Sequence, residues 1–557
     1  MKSIAPSTVL AAAFALSNAV TLLAQTSPHE RVVVRSMLPA GELGYLLVSP
    51  TRTAEYRLPG TTLDLAVDLH AANVLPIDNA ADRGAKEIAL TLPPGVDLTR
   101  AAMFAQVISL SPQSMRASPV FRLTSGDSAV APAIHVGPVP EILVGNGPPS
   151  DKSRHRSIMV SRNPALRTTV FTVDGRPLTG RVEADVEGYN PSNVGAVELL
   201  SPAMSGLSLT ASPDAYPYRV HGRVFITWPN GATGQGSGTL IDAKHVMTAG
   251  HVVYQSSKGG WATKLQFQPG YDNGDKPYGE AVSASGLGWR HSWTGWTQDG
   301  DYSDDVAYFQ IDRPVGALTG WHGYGYSTSC SFYETTTFYT RCYPGEGAFT
   351  GQLMYQRSGT FDSCPTDREA RFNLYAYGGE SGSGYYYLNG TSRYVRSVMS
   401  HRASNTDADT VRLTESKFND VVAGIAAAKA STFDFTPLGV TVGPTEAPHV
   451  ARGAALPDLD FVVHNYSTAS FTGTLNWTVR LSTNTIISTG DTLLRTTSST
   501  FTAGANGSKS INHTNPPTIP VTVTPGTYYV GIILTTADAN SGNQITLAED
   551  VAKVIVD

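Results

Sequence analysis

Over residues 212–428 short runs of apolar, β-branched and aromatic residues are broken repeatedly by glycine-rich turns. A helical bundle needs apolar residues recurring over whole turns, so this spacing instead calls for an all-β barrel or sandwich. One stretch departs from it. Over Glu415–Ala428 the residues Phe418, Val421, Val422, Ile425 and Ala426 recur at helical spacing and form a single apolar face. Thr414 offers a hydroxyl N-cap, and Lys417 stands where a capping box would place Glu, so the box is incomplete. Composition agrees with a β-rich, turn-rich chain: Gly 53, Pro 35 and Tyr 25, with only 15% charged residues.

At 557 residues the chain is too long for one ordinary domain, and length alone suggests roughly three or four. Residues 1–24 read as an export signal. Lys2 gives a positive start, residues 9–16 an apolar run, and Ser17-Asn18-Ala19 or Ala24 small residues for cleavage. That run is too short and interrupted to span a membrane, and no later stretch is suited to it. A soluble, secreted protein is expected. Residues 25–205 alternate apolar and polar without a catalytic motif. Strands are expected over 31–34, 45–48 and 87–92, a helix over 98–110, linker composition over 146–154 and a small strand-rich unit over 158–187. Residues 432–456, rich in Pro, Thr, Gly and Ala, read as a linker. In 457–557 about seven β-branched and aromatic runs fit an immunoglobulin-like β-sandwich.

The formal net charge of −6 and the absence of a Lys/Arg block argue against a nucleic-acid partner. Cys330, Cys342 and Cys364 allow one disulfide and one leftover thiol, in any of the possible pairings. No Cys-x-x-Cys pair exists to suggest structural zinc. Asp272-Asn273-Gly274-Asp275 has oxygen ligands but lacks calcium-loop spacing, and reads as a plain turn.

Three segments carry chemistry. Gly378-Gly379-Glu380-Ser381-Gly382-Ser383-Gly384 holds a serine on a tight glycine turn, which exposes the hydroxyl and gathers backbone N–H groups. Thr248-Ala249-Gly250-His251 ends a strand in small residues that leave an imidazole open. Asp304-Asp305-Val306-Ala307 brings a carboxylate to the start of an apolar strand, where it can fix an imidazole's tautomer. The order His, Asp, Ser differs from that of the α/β-hydrolases, and Ser383 stands where a nucleophile elbow has Gly.

These three segments resemble the trypsin-like (chymotrypsin-fold) serine peptidases, and most closely the bacterial glutamyl endopeptidase (V8-like) group. Ala215-Tyr216-Pro217-Tyr218-Arg219 and Tyr343-Pro344-Gly345-Glu346 add to the likeness, which covers residues 212–428. It implies a mainly β, chymotrypsin-like double β-barrel over residues 206–431, with a C-terminal helix, preceded by a propeptide over 25–205. It further implies catalysis by His251 as general base, Asp305 as its orienter in preference to Asp304, and Ser381 as nucleophile. The amides of Gly379 and Ser381 would form the oxyanion hole, with no metal or organic cofactor. The substrate pocket would be formed by Ala376, Met399, Ser400 and His401. The group's usual hydroxyl is replaced by Ala376, and Met399 stands at the position of its histidine, so a preference for Glu or for apolar residues stays open. Glu380 stands where trypsin relatives carry an Asp that pairs with the freed N-terminus; similar pairing and plain solvation are the alternatives here.

Residues 479–494 and 526–531 resemble CARDB-type bacterial adhesion modules, which implies a surface or polymer ligand or a spacer role for the C-terminal sandwich. Expected partners are protein or peptide substrates, and the expected state is a monomer. The rival reading is a non-catalytic adhesin built on a degenerate peptidase barrel.

Overall fold

The computed structural model describes residues 181–191, 198, 203–283, 289–513 and 515–557, together with the backbone of the strands between Arg31 and Asp174 and the side chains of 159–162. The expected signal and the linker over 146–154 lie outside the described residues.

Two curled, mostly antiparallel sheets form the centre of the chain. The first is built from His221–Thr227, Thr233–Asp242, His245–Thr248, Lys264–Pro269, Ala281–Ser283, Arg290–Trp293 and Ala307–Gln310. Alternating residues of these strands, among them Val224, Leu240, Val246, Leu265 and Phe309, are fully buried. The second runs through Gly323–Ser327, Phe338–Cys342, Tyr355–Gly359, Glu369–Phe372, Gly384–Asn389, Ser392–Arg402 and Ala408–Arg412. Its core is aromatic: Tyr333, Phe338, Phe361, Phe372 and Tyr385 pack ring against ring. This is the chymotrypsin-like double β-barrel. A disulfide, Cys330–Cys364, closes over the second barrel, and Cys342 is a buried free thiol.

The helix Glu415–Ala428 forms where its periodicity predicts. Thr414 Oγ1 accepts from Lys417 N at 3.3 Å. Phe418 lies against Tyr324 and Tyr326 of the second barrel. Lys417, out of place for a capping box, sends its ammonium to Asp304 at 2.6 Å and so pins the helix to the first barrel. Asp272-Asn273-Gly274-Asp275 is a tight turn, with an Asp272–Asp275 bridge and positive φ at Asn273 and Gly274.

Two expectations are corrected. The stretch read as a helix over 98–110 contains the strand Met103–Leu110, paired with Leu43–Ser49 on one side and Phe121–Ser125 on the other. Pairing on both edges satisfies its backbone, and Val107 and Ile108 suit a pleat. The stretch read as a linker, 432–456, contains Phe435–Thr441, which pairs with Asp460–Asn465, and His449–Val450, which pairs with Ala552–Val556. The C-terminal unit therefore begins before residue 457. It has a three-stranded and a five-stranded sheet over one apolar cluster that includes Phe435, Phe461, Trp477, Phe501, Val530 and Val554. Buried polar contacts dock it on the first barrel. Arg313 Nε donates to Asp550 at 2.9 Å, Asn506 Nδ2 donates to Asp242 at 3.1 Å, and Tyr466 Oη lies 3.2 Å from His245 Nδ1.

Residues assigned to the propeptide extend both barrels. Met159–Asn163 pairs with Arg290–Trp293, and Glu183–Val186 with Gly323–Ser327. They also bring acids to buried arginines. Asp185 lies 2.9 Å from Arg396, and Glu198 lies 3.1 Å from Arg341 and 3.3 Å from Arg393. Tyr386 also donates to Glu198. An ion pair buried this well gains little over an apolar pair, but removing one partner strands a charge. Glu198→Gln is therefore expected to lower the unfolding free energy by about 3 kcal/mol. Urea titration checks this against the exposed control Glu446→Gln, which should stay within about 0.5 kcal/mol of wild type.

Candidate active site

His251 sits on the single helical turn Gly250–Val253, directly after the strand His245–Thr248. Asp305 follows the short 3₁₀ turn Tyr302–Asp304 and precedes Ala307–Gln310 in the same barrel. Its carboxylate is fully buried and accepts three hydrogen bonds: His251 N to Oδ1 at 2.7 Å, His251 Nδ1 to Oδ2 at 2.8 Å, and Ser400 Oγ to Oδ2 at 2.5 Å. Because the carboxylate only accepts, Nδ1 carries the proton and Nε2 is left as the basic nitrogen. Burial pulls the His251 imidazolium down, but the charge of Asp305 and its hydrogen bond outweigh that, and the net pKa is raised. Asp304, the neighbouring carboxylate, turns away to Lys417 and to Arg368 at 3.0 Å.

Ser381 comes from the second barrel, on the turn that precedes Gly384–Asn389. Gly379 has φ +97° and Gly382 φ +90°, values that favour glycine. A Cβ on Gly382 would lie 2.0 Å from Thr248 Oγ1, and one on Gly379 2.4 Å from Tyr343 O, so both positions exclude larger residues. The turn is held to the first barrel by Ser237, whose Oγ donates to Gly379 O at 2.8 Å and whose N donates to Ser381 O at 2.8 Å. Among the described residues the Ser381 hydroxyl makes no hydrogen bond. It shares with His251 one cleft of about 440 Å³ between the barrels.

The four residues expected to form the pocket all line this cleft. Ala376 and Met399 are buried and give it an apolar floor. Ser400 faces Asp305 and steadies it. His401 is displaced along the strand, its ring 4.3 Å from that of Tyr302. Sequence reasoning missed Trp296, Tyr302 and Arg402, which also line the cleft. The charge next to His401 was the one available signal for Arg402. Glu380 is not solvated: it is buried and ion-paired with Arg357 at 2.8 Å. Glu369, His401 and Asp409 have metal-binding side chains close together. Both Asp409 oxygens, however, already accept from Arg371 at 2.7 Å, and Thr366 donates to Glu369 at 3.0 Å. The group is occupied as a salt-bridge network.

No family profile matches the chain. It is 27% identical over 248 residues to the glutamyl endopeptidase of Bacillus licheniformis, covering 42% of this chain and 71% of that protein. It is 28% identical over 213 residues to an extracellular metalloprotease of Bacillus subtilis, covering 38% of this chain and 65% of that protein, just under two thirds. Among solved structures, a Glu endopeptidase in complex with MPD aligns at 21% identity and a TM-score of 0.34, over 40% of this chain and 99% of that one. The protease Anisep from Arthrobacter nicotinovorans aligns at 22% and 0.30, over 35% and 90%. The two sequence relatives support a protease.

Proton-coupled NMR of His251 tests the local electrostatics. Its titration midpoint should lie above the ordinary histidine value of about 6.5. Asp305→Asn removes the raising charge and leaves the burial, so the midpoint should drop below that value. An unchanged midpoint would show that Asp305 does not govern the imidazole.

Proposed function

We propose that the chain is a secreted serine endopeptidase, made as a precursor, that hydrolyses peptide bonds through His251, Asp305 and Ser381. The observation that carries this reading is the Asp305–His251 hydrogen bond of 2.8 Å beside a cleft that also presents Ser381 on a glycine turn. Ser381 Oγ attacks the scissile carbonyl carbon, and His251 Nε2 takes its proton. The amides of Gly379 and Ser381 stabilise the oxyanion. Collapse of the tetrahedral intermediate breaks the C–N bond as the imidazolium returns its proton to the leaving amine. Water then adds to the acyl-enzyme by the same relay, releasing the acid and restoring the serine. Asp305 stays ionised throughout and holds the imidazole's tautomer.

The substrates are proteins or peptides, bound with one side chain toward Ala376 and Met399. Export rests on the N-terminal sequence pattern, and among the described residues no helix is long and apolar enough to cross a membrane. The C-terminal unit is read as a CARDB-like sandwich with a surface or polymer ligand. Acids at 185 and 198 serve buried arginines of the second barrel, so we place the propeptide boundary before residue 181 rather than at 205.

A fluorophosphonate should label the processed wild type and not Ser381→Ala. Asp305→Asn should lower kcat by roughly 10⁴-fold, and a chelator should leave hydrolysis unchanged. Processed wild type that neither labels nor cleaves a peptide library would favour the adhesin reading.

A further inference from the structure

We propose that Arg357 is a positioning residue for the oxyanion turn, holding it from within the barrel so that no freed N-terminus is needed. The inference rests on the peptidase reading above. Arg357 lies mid-strand in Tyr355–Gly359. Its side chain is 2% exposed and that of Glu380 0%. Nε and Nη2 each donate to one oxygen of Glu380, at 2.9 and 2.8 Å, in a two-pronged contact. The same Nη2 donates to Tyr375 O at 2.7 Å, and Tyr377 N donates to Glu380 Oε1 at 2.7 Å. One guanidinium therefore grips both ends of the segment from Tyr375 to Glu380.

Other contacts hold the backbone of this segment, Gly345 N donating to Gly378 O at 2.7 Å and Ser237 Oγ to Gly379 O at 2.8 Å, but neither of them reaches the Glu380 carboxylate. Glu380 is flanked by Gly379 and Ser381, whose amides face the developing oxyanion in the proposed reaction. Gly379 has no side chain to restrain its left-handed backbone. A swing of the Glu380 side chain toward solvent would turn the peptide planes on either side and move both amides. Buried beside a fixed guanidinium, the carboxylate has no such freedom, since leaving it unpaired in that site is costly.

The position of the upstream chain supports the same conclusion. Arg357 Nη1 donates to Ser205 O at 3.3 Å, and Ser205 N donates to Ser358 O at 2.8 Å. Residues near 205 thus contact Arg357 from their backbone, and it is the guanidinium that reaches Glu380. A terminus created upstream would find the carboxylate already neutralised. Proteolytic removal of the N-terminal segment would expose or release the enzyme without assembling this turn.

The test compares processed wild type, Arg357→Ala and the double variant Arg357→Met with Glu380→Gln, counting active sites by fluorophosphonate labelling. The double variant removes both buried charges together, so it keeps the test open if Arg357→Ala does not fold. Per labelled site, kcat should fall about 100-fold in either variant while KM stays within about threefold, the pattern of a lost oxyanion contact. Added guanidinium chloride should restore Arg357→Ala at least about tenfold over equal sodium chloride, as expected if the missing cation itself sets the turn. A double variant whose kcat per labelled site matches wild type would overturn the inference and leave the peptidase reading intact. Wild type that neither labels nor hydrolyses would overturn the reading, and this inference with it.

Discussion

The buried carboxylate of Asp305 is the contact on which the cleft depends. It belongs to the first barrel, yet one of its oxygens accepts from Ser400 of the second at 2.5 Å while also accepting from His251. Three donors compensate the desolvation of the charge. Because they come from two barrels, the imidazole is oriented only when the barrels are correctly docked. Ser237 makes the reciprocal connection, reaching from the first barrel to the backbone on either side of Glu380. The cleft is therefore a property of the interface, and neither barrel carries it alone.

Around this centre, buried arginines are matched to carboxylates. Arg357 meets Glu380, Arg396 meets Asp185, Arg341 and Arg393 share Glu198, and Arg313 meets Asp550. Such pairs contribute little net stability, but they penalise every arrangement that separates the partners. Each joins segments distant in sequence: the N-terminal region to the second barrel, the Ser381 turn to a neighbouring strand, and the C-terminal unit to the first barrel. Guanidinium suits this work because its planar fork matches a carboxylate and does not lose its charge.

Each of the signals that single out the centre lies within a short stretch of the sequence. The glycines around Ser381, the small residues before His251 and the carboxylate opening an apolar strand are local patterns, each confined to a few residues. The helix Glu415–Ala428 was equally local, since its apolar face shows in the spacing alone. What failed had a common cause. Met103–Leu110 has enough apolar residues for either state, and pairing on both edges decided for a strand. Phe435–Thr441 sits amid Pro, Thr and Gly, and becomes a strand because Asp460–Asn465 lies beside it. Nothing near Glu380 in the sequence identifies Arg357 as its partner.

By itself the sequence determined the β-rich architecture and the helix Glu415–Ala428, and it singled out Ser381, His251 and Asp305 as candidates for acyl transfer, because turn-forming glycines and short periodicities act within a few residues. The tertiary structure alone decided that Ser400 joins His251 on the Asp305 carboxylate, that Cys330 joins Cys364, and that Glu380 is held by Arg357. Those choices depend on which distant groups arrive together in a space closed to water. There an unpaired charge is costly and a paired one is held in place.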